Sequence, residues 1–382
     1  MRANSCVAPL VVAPFALCTA LALRAAFDDS RMAWVALAAA SAGLAVYLGA
    51  RSRSRRGLSA GLPLSLALLT LLLAVPELGL RSAGFRRVGG VEFGYPSPED
   101  FLELEPDAEL FWTLPRGAPG TNSLGFAGSE PAVPKPEGVF RALFLGDSCM
   151  WQGHPEEWPA LATAELATLR GRPIECTNLS LAGYSTHQGL RVAQRYGATL
   201  APDLVVVGYG WNDHWLARGS TDSDKVIHVA FERVHRASRL LQLVASWASA
   251  SEGQVLGEPR VSAEKFGANL ANLVRSFHQR GLPVMLVTAP SVHDLGVPEY
   301  LLKYRFASSA ADVVRLHAEY VAITREVARA EGVSLLDLEV ELAARADRAS
   351  LFLADGIHFT EAGRRVIAES FVQAALRLGL VP

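Results

Sequence analysis

The chain has 382 residues, of which 50% are hydrophobic and 19% charged, and its 36 Lys+Arg against 38 Asp+Glu leave a net charge of −2. That balance excludes the broad basic field with which nucleic-acid binders neutralise phosphates, so no nucleic-acid partner is expected. The apolar fraction excludes disorder over the whole chain, and four cysteines in this length exclude a disulfide-stapled mini-protein.

Mean hydropathy is +0.21, and the apolar excess sits in the first eighty residues. No charge falls between Arg2 and Arg24, between Arg31 and Arg51, or between Arg56 and Glu77. Each run holds about the 17–25 residues a helix needs to cross hydrocarbon. Residues 1–87 are therefore expected to form a membrane anchor of three transmembrane helices at about 4–23, 32–50 and 58–76. Ala20-Leu21-Ala22 resembles a signal-peptide cleavage site, but the lone Arg2 is a poor basic start and favours a retained helix. Arg51, Arg53, Arg55 and Arg56 form a basic loop that the positive-inside tendency puts in the cytoplasm, so the rest of the chain faces outward. Arg81, Arg86 and Arg87 pull mildly the other way.

Residues 88–137 are rich in Pro, Gly and acidic residues, carry no sustained period, and read as an irregular connector. From Val139 onward short apolar runs alternate with longer helical patterns. The runs are 140–145, 174–179, 204–207, 284–288 and 333–336; the helical stretches are 156–169, 262–279, 310–330 and 360–378. Alternation of this kind implies an α/β domain over 138–382 with a five-stranded parallel sheet covered on both faces. Ligands of such sheets bind beyond the carboxyl ends of the strands, so the residues that follow each run are the candidates.

Gly146-Asp147-Ser148 follows the first run, Gly183 the second, and Gly210-Trp211-Asn212-Asp213 the third. Asp355-Gly356-Ile357-His358 follows the fifth, just before the last helix. A hydroxyl, an imidazole and a carboxylate are what acyl transfer requires. Serine is a weak nucleophile unless a base removes its proton; His358 can do so, and Asp355 would fix the imidazole tautomer. An oxyanion would be held by the N–H of Ser148, the N–H of Gly183 and the side-chain amide of Asn212. In a shuffled chain Asp-x-x-His alone is expected about 0.3 times and means nothing. Together with Gly-Asp-Ser and Gly-x-Asn-Asp the chance falls to roughly 5 in 10,000, so the combination decides.

These residues resemble the SGNH (GDSL-type) hydrolase family. Gly146-Asp147-Ser148 is similar to its first block, Gly183 to its second, Asn212 to its third, and Asp355 with His358 to its fifth, over about residues 139–380. The resemblance implies a flavodoxin-like three-layer sandwich and ester hydrolysis or acyl transfer with no metal or organic cofactor. Thr121 to Gly128 also resembles a stretch upstream in membrane-anchored, extracytoplasmic bacterial members, which often carry Arg where this chain has Ala127. The expectation is a serine esterase in the bacterial inner membrane, its catalytic domain periplasmic, acting on an O-acyl ester of an envelope glycan or lipid. An O-acyltransferase using the same acyl-enzyme and a non-catalytic glycan-binding scaffold are the alternatives; the sequence leaves the oligomeric state open.

Blander readings apply elsewhere. His187 and His214 lie near strand ends, either touching substrate or serving as structural histidines. Asp147 and Asp213 are expected to shape their turns through backbone hydrogen bonds. A metal site at Asp147, Asp213 and His214 lacks a supporting spacing. Cys149 is a second thiol beside the nucleophile, and it pairs with Cys176 only at the cost of crowding Ser148. The stretch from Trp215 to Glu258 has no evident strand; Arg233, Arg236 and Arg239 mark an amphipathic helix, or a lid insertion at about 215–260.

Overall fold

The five apolar runs become five parallel strands in the computed structural model, which describes residues 61–85, 104–151, 153, 156–248 and 255–382. Of residues 61–68, 70, 245–248 and 255–256 the backbone alone is described. The chain divides into two compact units, residues 1–89 with 228–252 and residues 90–227 with 253–382.

The larger unit is an α/β domain. In chain order the elements up to its second sheet strand are β1 (Glu105–Asp107), β2 (Phe111–Thr113), β3 (Phe140–Gly146), α2 (Trp158–Arg170) and β4 (Ile174–Asn178); the label α1 belongs to Gly61–Ser82 of the other unit. Then follow α3 (Thr186–Tyr196), β5 (Leu204–Gly208), the single turn α4 (Trp211–His214) and β6 (Leu216–Arg218). The chain passes through α5 (Val229–Ala237) and α6 (Arg239–Ala248) of the smaller unit, then returns with β7 (Val255–Pro259) and α7 (Ala263–His278). It closes with β8 (Val284–Val287), α8 (Glu299–Lys303), α9 (Ala310–Glu331), β9 (Ser334–Leu336), α10 (Leu338–Ala343) and α11 (Glu361–Arg377).

The sheet order is β4-β3-β5-β8-β9, all pairs parallel. Successive side chains of a strand point to opposite faces. Accordingly Leu143, Leu145, Val205 and Val207 pack with Val192 of α3, Phe266 and Leu270 of α7 and Tyr320 of α9. Ala142, Phe144, Leu204 and Val206 pack with Trp158 of α2 and Phe371 of α11. Burial on both faces explains why these strands read as continuous apolar runs. The chain steps from β3 outward to β4, then back across β3 to β5. The crevice at the carboxyl ends of β3 and β5 is thus the switch point where this topology binds ligands.

Two stretches differ from expectation. The connector is not irregular throughout: β1 and β2 pair antiparallel, and Leu110, Phe111, Trp112, Leu114 and Phe126 enter the main core. The stretch 215–260 does hold strands, since β6 and β7 pair antiparallel across it. Each is only three to five residues long, too short to establish a period. The helix α3 also differs from the sequence pattern, because THQGLRVAQRY carries few apolar residues; its Gly189 is demanded by Tyr209, whose hydroxyl a Cβ would meet at 2.6 Å.

In the smaller unit, α1 covers 22 residues. It runs beyond the expected end at 76 because Glu77 and Arg81 neutralise each other one turn apart, Arg81 Nε lying 2.8 Å from Glu77 Oε1 with both side chains buried. Glu77 also accepts from Ser238 Oγ at 2.9 Å and from the N–H groups of Arg239 and Leu240 at 2.8 Å, capping α6 with a carboxylate where the helix dipole favours one. Ser238 and the start of α6 are thereby tied to α1. Among the described residues no helix is long and apolar enough to cross a membrane, so α1 does not bear out the span expected at 58–76; the spans expected at 4–23 and 32–50 lie outside the described residues.

Candidate active site

β3 ends at Gly146, where a Cβ would lie 2.5 Å from Met150 Sδ and 2.8 Å from the carbonyl oxygen of Gly208. Only glycine allows this tight exit. The turn that follows is closed by Met150 N and Trp151 N, both donating to the Asp147 carbonyl, and Ser148 stands at its tip. Asp147 is buried. Its Oδ1 accepts from Cys149 N at 2.8 Å and its Oδ2 from Asn212 Nδ2 at 3.3 Å, so it joins the ends of β3 and β5. Burial pushes its carboxyl up to about 6, against the pull of the Cys149 N–H and of the nearby His358.

The imidazole of His358 lies between the other two groups. Its Nε2 is 2.8 Å from Ser148 Oγ and its Nδ1 is 2.6 Å from Asp355 Oδ2. The second carboxylate oxygen, Oδ1, accepts from the N–H groups of Ile357 and His358 at 2.8 and 2.9 Å. Burial raises the Asp355 carboxyl, but the His358 ring and these backbone donors outweigh it and hold the group at about 2. Asp355 is therefore an anion that accepts from Nδ1–H, leaving Nε2 as the acceptor facing the serine hydroxyl.

Gly183 lies on the loop leaving β4. Its φ of +82° suits glycine, and a Cβ there would meet the Trp112 ring at 2.9 Å. Asn212 is buried in α4. An amide has two N–H donors and one is spent on Asp147, which leaves a second for a ligand. The crevice thus brings together a hydroxyl, a base oriented by an anion, and donors from the ends of the two strands that flank β3. Such a set can attack a carbonyl carbon and hold the resulting oxyanion.

Other candidates lie elsewhere. His214 is fully buried and donates through Nε2 to His317 Nδ1 at 3.3 Å, because His317 Nε2 is committed to the carbonyl of Ala289 at 2.8 Å. Burial keeps both rings neutral, and His214 is packed in the core against Trp215, His317 and Tyr320. His187 is half-buried and stacks on Phe111 at 5.6 Å; burial lowers it to about 4. Asp213 turns away to the start of α3, accepting from the N–H and hydroxyl of Thr186 at 2.9 and 2.5 Å. It therefore does not converge with Asp147, and no metal-holding group of three His, Cys, Asp or Glu exists among the described residues. Cys149 and Cys176 are unpaired thiols. Burial and the charges of Asp147 and Asp355 push the Cys149 thiol well up, which keeps it protonated.

Sequence reasoning misses His293, on the loop after β8. Its Nε2 donates to the Asp355 carbonyl at 2.7 Å, and its ring presses on Gly356, where a Cβ would lie 2.7 Å from Cδ2. It braces the loop that bears Asp355 and His358. No motif marks it, because its partner is a backbone atom 62 residues away.

The model of the GDSL-like Lipase/Acylhydrolase family matches residues 144–366. Among solved structures, the chain is similar to the lipase/acylhydrolase from Enterococcus faecalis at 18% identity and TM-score 0.42, covering 62% of this chain and 95% of that one. It is also similar to the acetyl xylan esterase AlAXEase at 17% identity and TM-score 0.42, covering 62% and 99%. The psychrotrophic esterase EstA from a Pseudoalteromonas species gives 15% identity and TM-score 0.38, covering 62% and 97%. No curated protein matches the chain.

Proposed function

The chain belongs to the GDSL-like lipase/acylhydrolase family, and from that premise we propose that it is an ester hydrolase working through Ser148, His358 and Asp355. The observation that carries this reading is the continuous chain from Ser148 Oγ through His358 to Asp355, with links of 2.8 and 2.6 Å. His358 Nε2 takes the hydroxyl proton as Oγ attacks the ester carbonyl. Asp355 stabilises the imidazolium that forms. The N–H groups of Ser148 and Gly183 and the Asn212 amide receive the oxyanion. His358 then gives its proton to the departing alcohol, and a water activated by the same imidazole releases the acid.

The substrate we assign is an O-acyl ester of an envelope glycan or lipid, and the site we assign is the outer side of a bacterial inner membrane. Support comes from the uncharged runs of the first eighty residues, from the arginine loop at 51–56 that favours a cytoplasmic position, and from the Thr121–Gly128 stretch. Hydrolysis and acyl transfer share the acyl-enzyme and differ in the acceptor, water or a sugar hydroxyl.

The test uses the full chain in detergent-solubilised membranes. It should release p-nitrophenol from short acyl esters, label with a fluorophosphonate at Ser148, and lose both properties in Ser148→Ala. An equal rate in the variant overturns the reading. Acetylated glycan and diacyl lipid offered side by side, and a labelled acyl donor with a glycan acceptor, separate the substrate classes. A reporter fused near residue 95 that works only in the cytoplasm would reverse the orientation.

A further inference from the structure

The oxyanion donor at Gly183 belongs to a loop, and a loop N–H helps catalysis only if its direction is set before the oxyanion forms. Two peptide planes meet at Gly183. The plane before it carries the Ala182 carbonyl and the Gly183 N–H, pointing in opposite directions. The plane after it carries the Gly183 carbonyl and the Tyr184 N–H.

Both planes are held by side chains distant in sequence. Trp112 Nε1 donates to the Ala182 carbonyl at 3.2 Å, which turns the Gly183 N–H the other way. Arg260 Nη1 donates to the Gly183 carbonyl at 2.9 Å, while the Tyr184 N–H closes a turn onto the Leu181 carbonyl at 3.1 Å. The Gly183 N–H itself has no backbone acceptor among the described residues, so this donor is open to a ligand.

Arg260 is itself clamped. Asp222 accepts from its Nε at 3.1 Å and its Nη2 at 2.9 Å, a bidentate pair in which both side chains are largely buried. Ser185 Oγ adds a 2.6 Å bond to the same carboxylate, so the clamp is keyed to the start of α3. The backbone on either side of the guanidinium reaches the other donor loop: Arg260 N donates to the Trp215 carbonyl at 2.8 Å and Val261 N to the Asp213 carbonyl at 2.9 Å. Asn212 is the neighbour of Asp213. Arg260 and Val261 together therefore touch two of the three segments that supply oxyanion donors.

We propose that Arg260, fixed by Asp222, and Trp112 are positioning residues that aim the Gly183 N–H by pinning the two peptide planes beside it. This rests on the serine-hydrolase reading above. The planar fork of Arg suits the task because it can serve a carboxylate and a carbonyl at once, which a Lys ammonium does with far less geometric control.

The experiment measures the full chain and its Arg260→Met, Arg260→Lys and Trp112→Phe variants with a short p-nitrophenyl ester. Loss of an oxyanion donor typically costs about a hundredfold or more in kcat. The expected losses are about a hundredfold for Arg260→Met and about tenfold for Trp112→Phe, with KM held within about twofold and Arg260→Lys in between. Affinity for a trifluoromethyl ketone, which forms the tetrahedral adduct, should fall by the same factor as kcat/KM. The pH midpoint of the rate should stay at the parent's value, since the His358 contacts are untouched. Arg260→Met leaves Asp222 buried and unpaired; if it does not fold, Trp112→Phe decides, because it removes one N–H and strands no charge. Parent-like kcat in the folded variants, or a rise in KM at constant kcat, overturns the proposal. A parent chain that no fluorophosphonate labels overturns the serine-hydrolase reading and this proposal with it; a labelled parent with equally fast variants sinks only the positioning role.

Discussion

Replacing Asp355 by Asn tests how the imidazole is oriented. In the parent, Oδ1 is committed to two backbone N–H groups and Oδ2 to His358 Nδ1 at 2.6 Å. An Asn that keeps the backbone bonds places its NH₂ where Oδ2 was, donor against donor. His358 relieves this by moving its proton to Nε2, and it then faces Ser148 with a hydrogen instead of a lone pair. The depression of the Asp355 carboxyl from 3.8 to about 2 corresponds to roughly 2–3 kcal/mol of preference for the ionised form in this pocket. The tautomer reversal adds to that loss, and the same Asp-to-Asn change in the triad of a serine protease costs about 10⁴ in kcat, or about 5.5 kcal/mol. The expected outcome here is a loss of about 10³–10⁴ in kcat for Asp355→Asn. Asp355→Ala, which imposes no tautomer, should lose less. Steady-state turnover of a short p-nitrophenyl ester, beside a melting curve for each variant, measures both. An Asn variant retaining a tenth of the parent rate, or an Ala variant slower than Asn at equal foldedness, would refute the tautomer argument.

Asn212→Ala removes an oxyanion donor and the bond to Asp147, so kcat should fall by about 10²–10³ with KM little changed; a change confined to KM contradicts the role. Burial raises the Asp213 carboxyl to about 7, so between about pH 4 and pH 7 the folded chain binds a proton that the unfolded chain releases, and this group's contribution declines as pH rises through that window. Melting temperatures at about pH 5 and pH 8 should therefore drop more in the parent than in Asp213→Asn, and parallel drops would count against it. Glu77→Ala strips the acceptor from Arg81, Ser238 and the start of α6, a loss of about 3–5 kcal/mol for a broken buried pair. Tryptic cleavage at Arg233, Arg236 and Arg239 should quicken markedly, and an unchanged digestion rate would show the tie to be dispensable.

Much of the architecture is legible in the linear order of residues. Strands buried on both faces read as apolar runs, so the inner strands β3, β5 and β8 declare themselves, whereas the half-exposed edge strands β4 and β9 are marked by their alternation with helices. Parallel topology puts functional groups after the carboxyl ends. That rule points to the segments after the strands, and the joint Gly-Asp-Ser, Gly-x-Asn-Asp and Asp-x-x-His pattern within them singles out Ser148, Asn212, Asp355 and His358, with Gly183 beside them. The short pairs β1–β2 and β6–β7 and the polar helix α3 escape it, because three to five residues cannot establish a period and α3 has only a few apolar residues, Leu190, Val192 and Ala193, to pack on the core, its start being fixed by a Ser185–Gln188 capping box and by Asp213.

Which groups meet is a matter for the folded chain. Nine histidines are present; closure of a loop 210 residues long delivers His358 to Ser148, while His214 and His317 meet each other in the core and His293 holds the Asp355 carbonyl. Trp112 to Ala182, Arg260 to Gly183 and Glu77 to α6 are likewise contacts across 70, 77 and about 160 residues. A strand's burial is a property of its own side chains and can be read locally. A hydrogen bond to a distant backbone carbonyl depends on a direction in space, and no residue type at either end announces it.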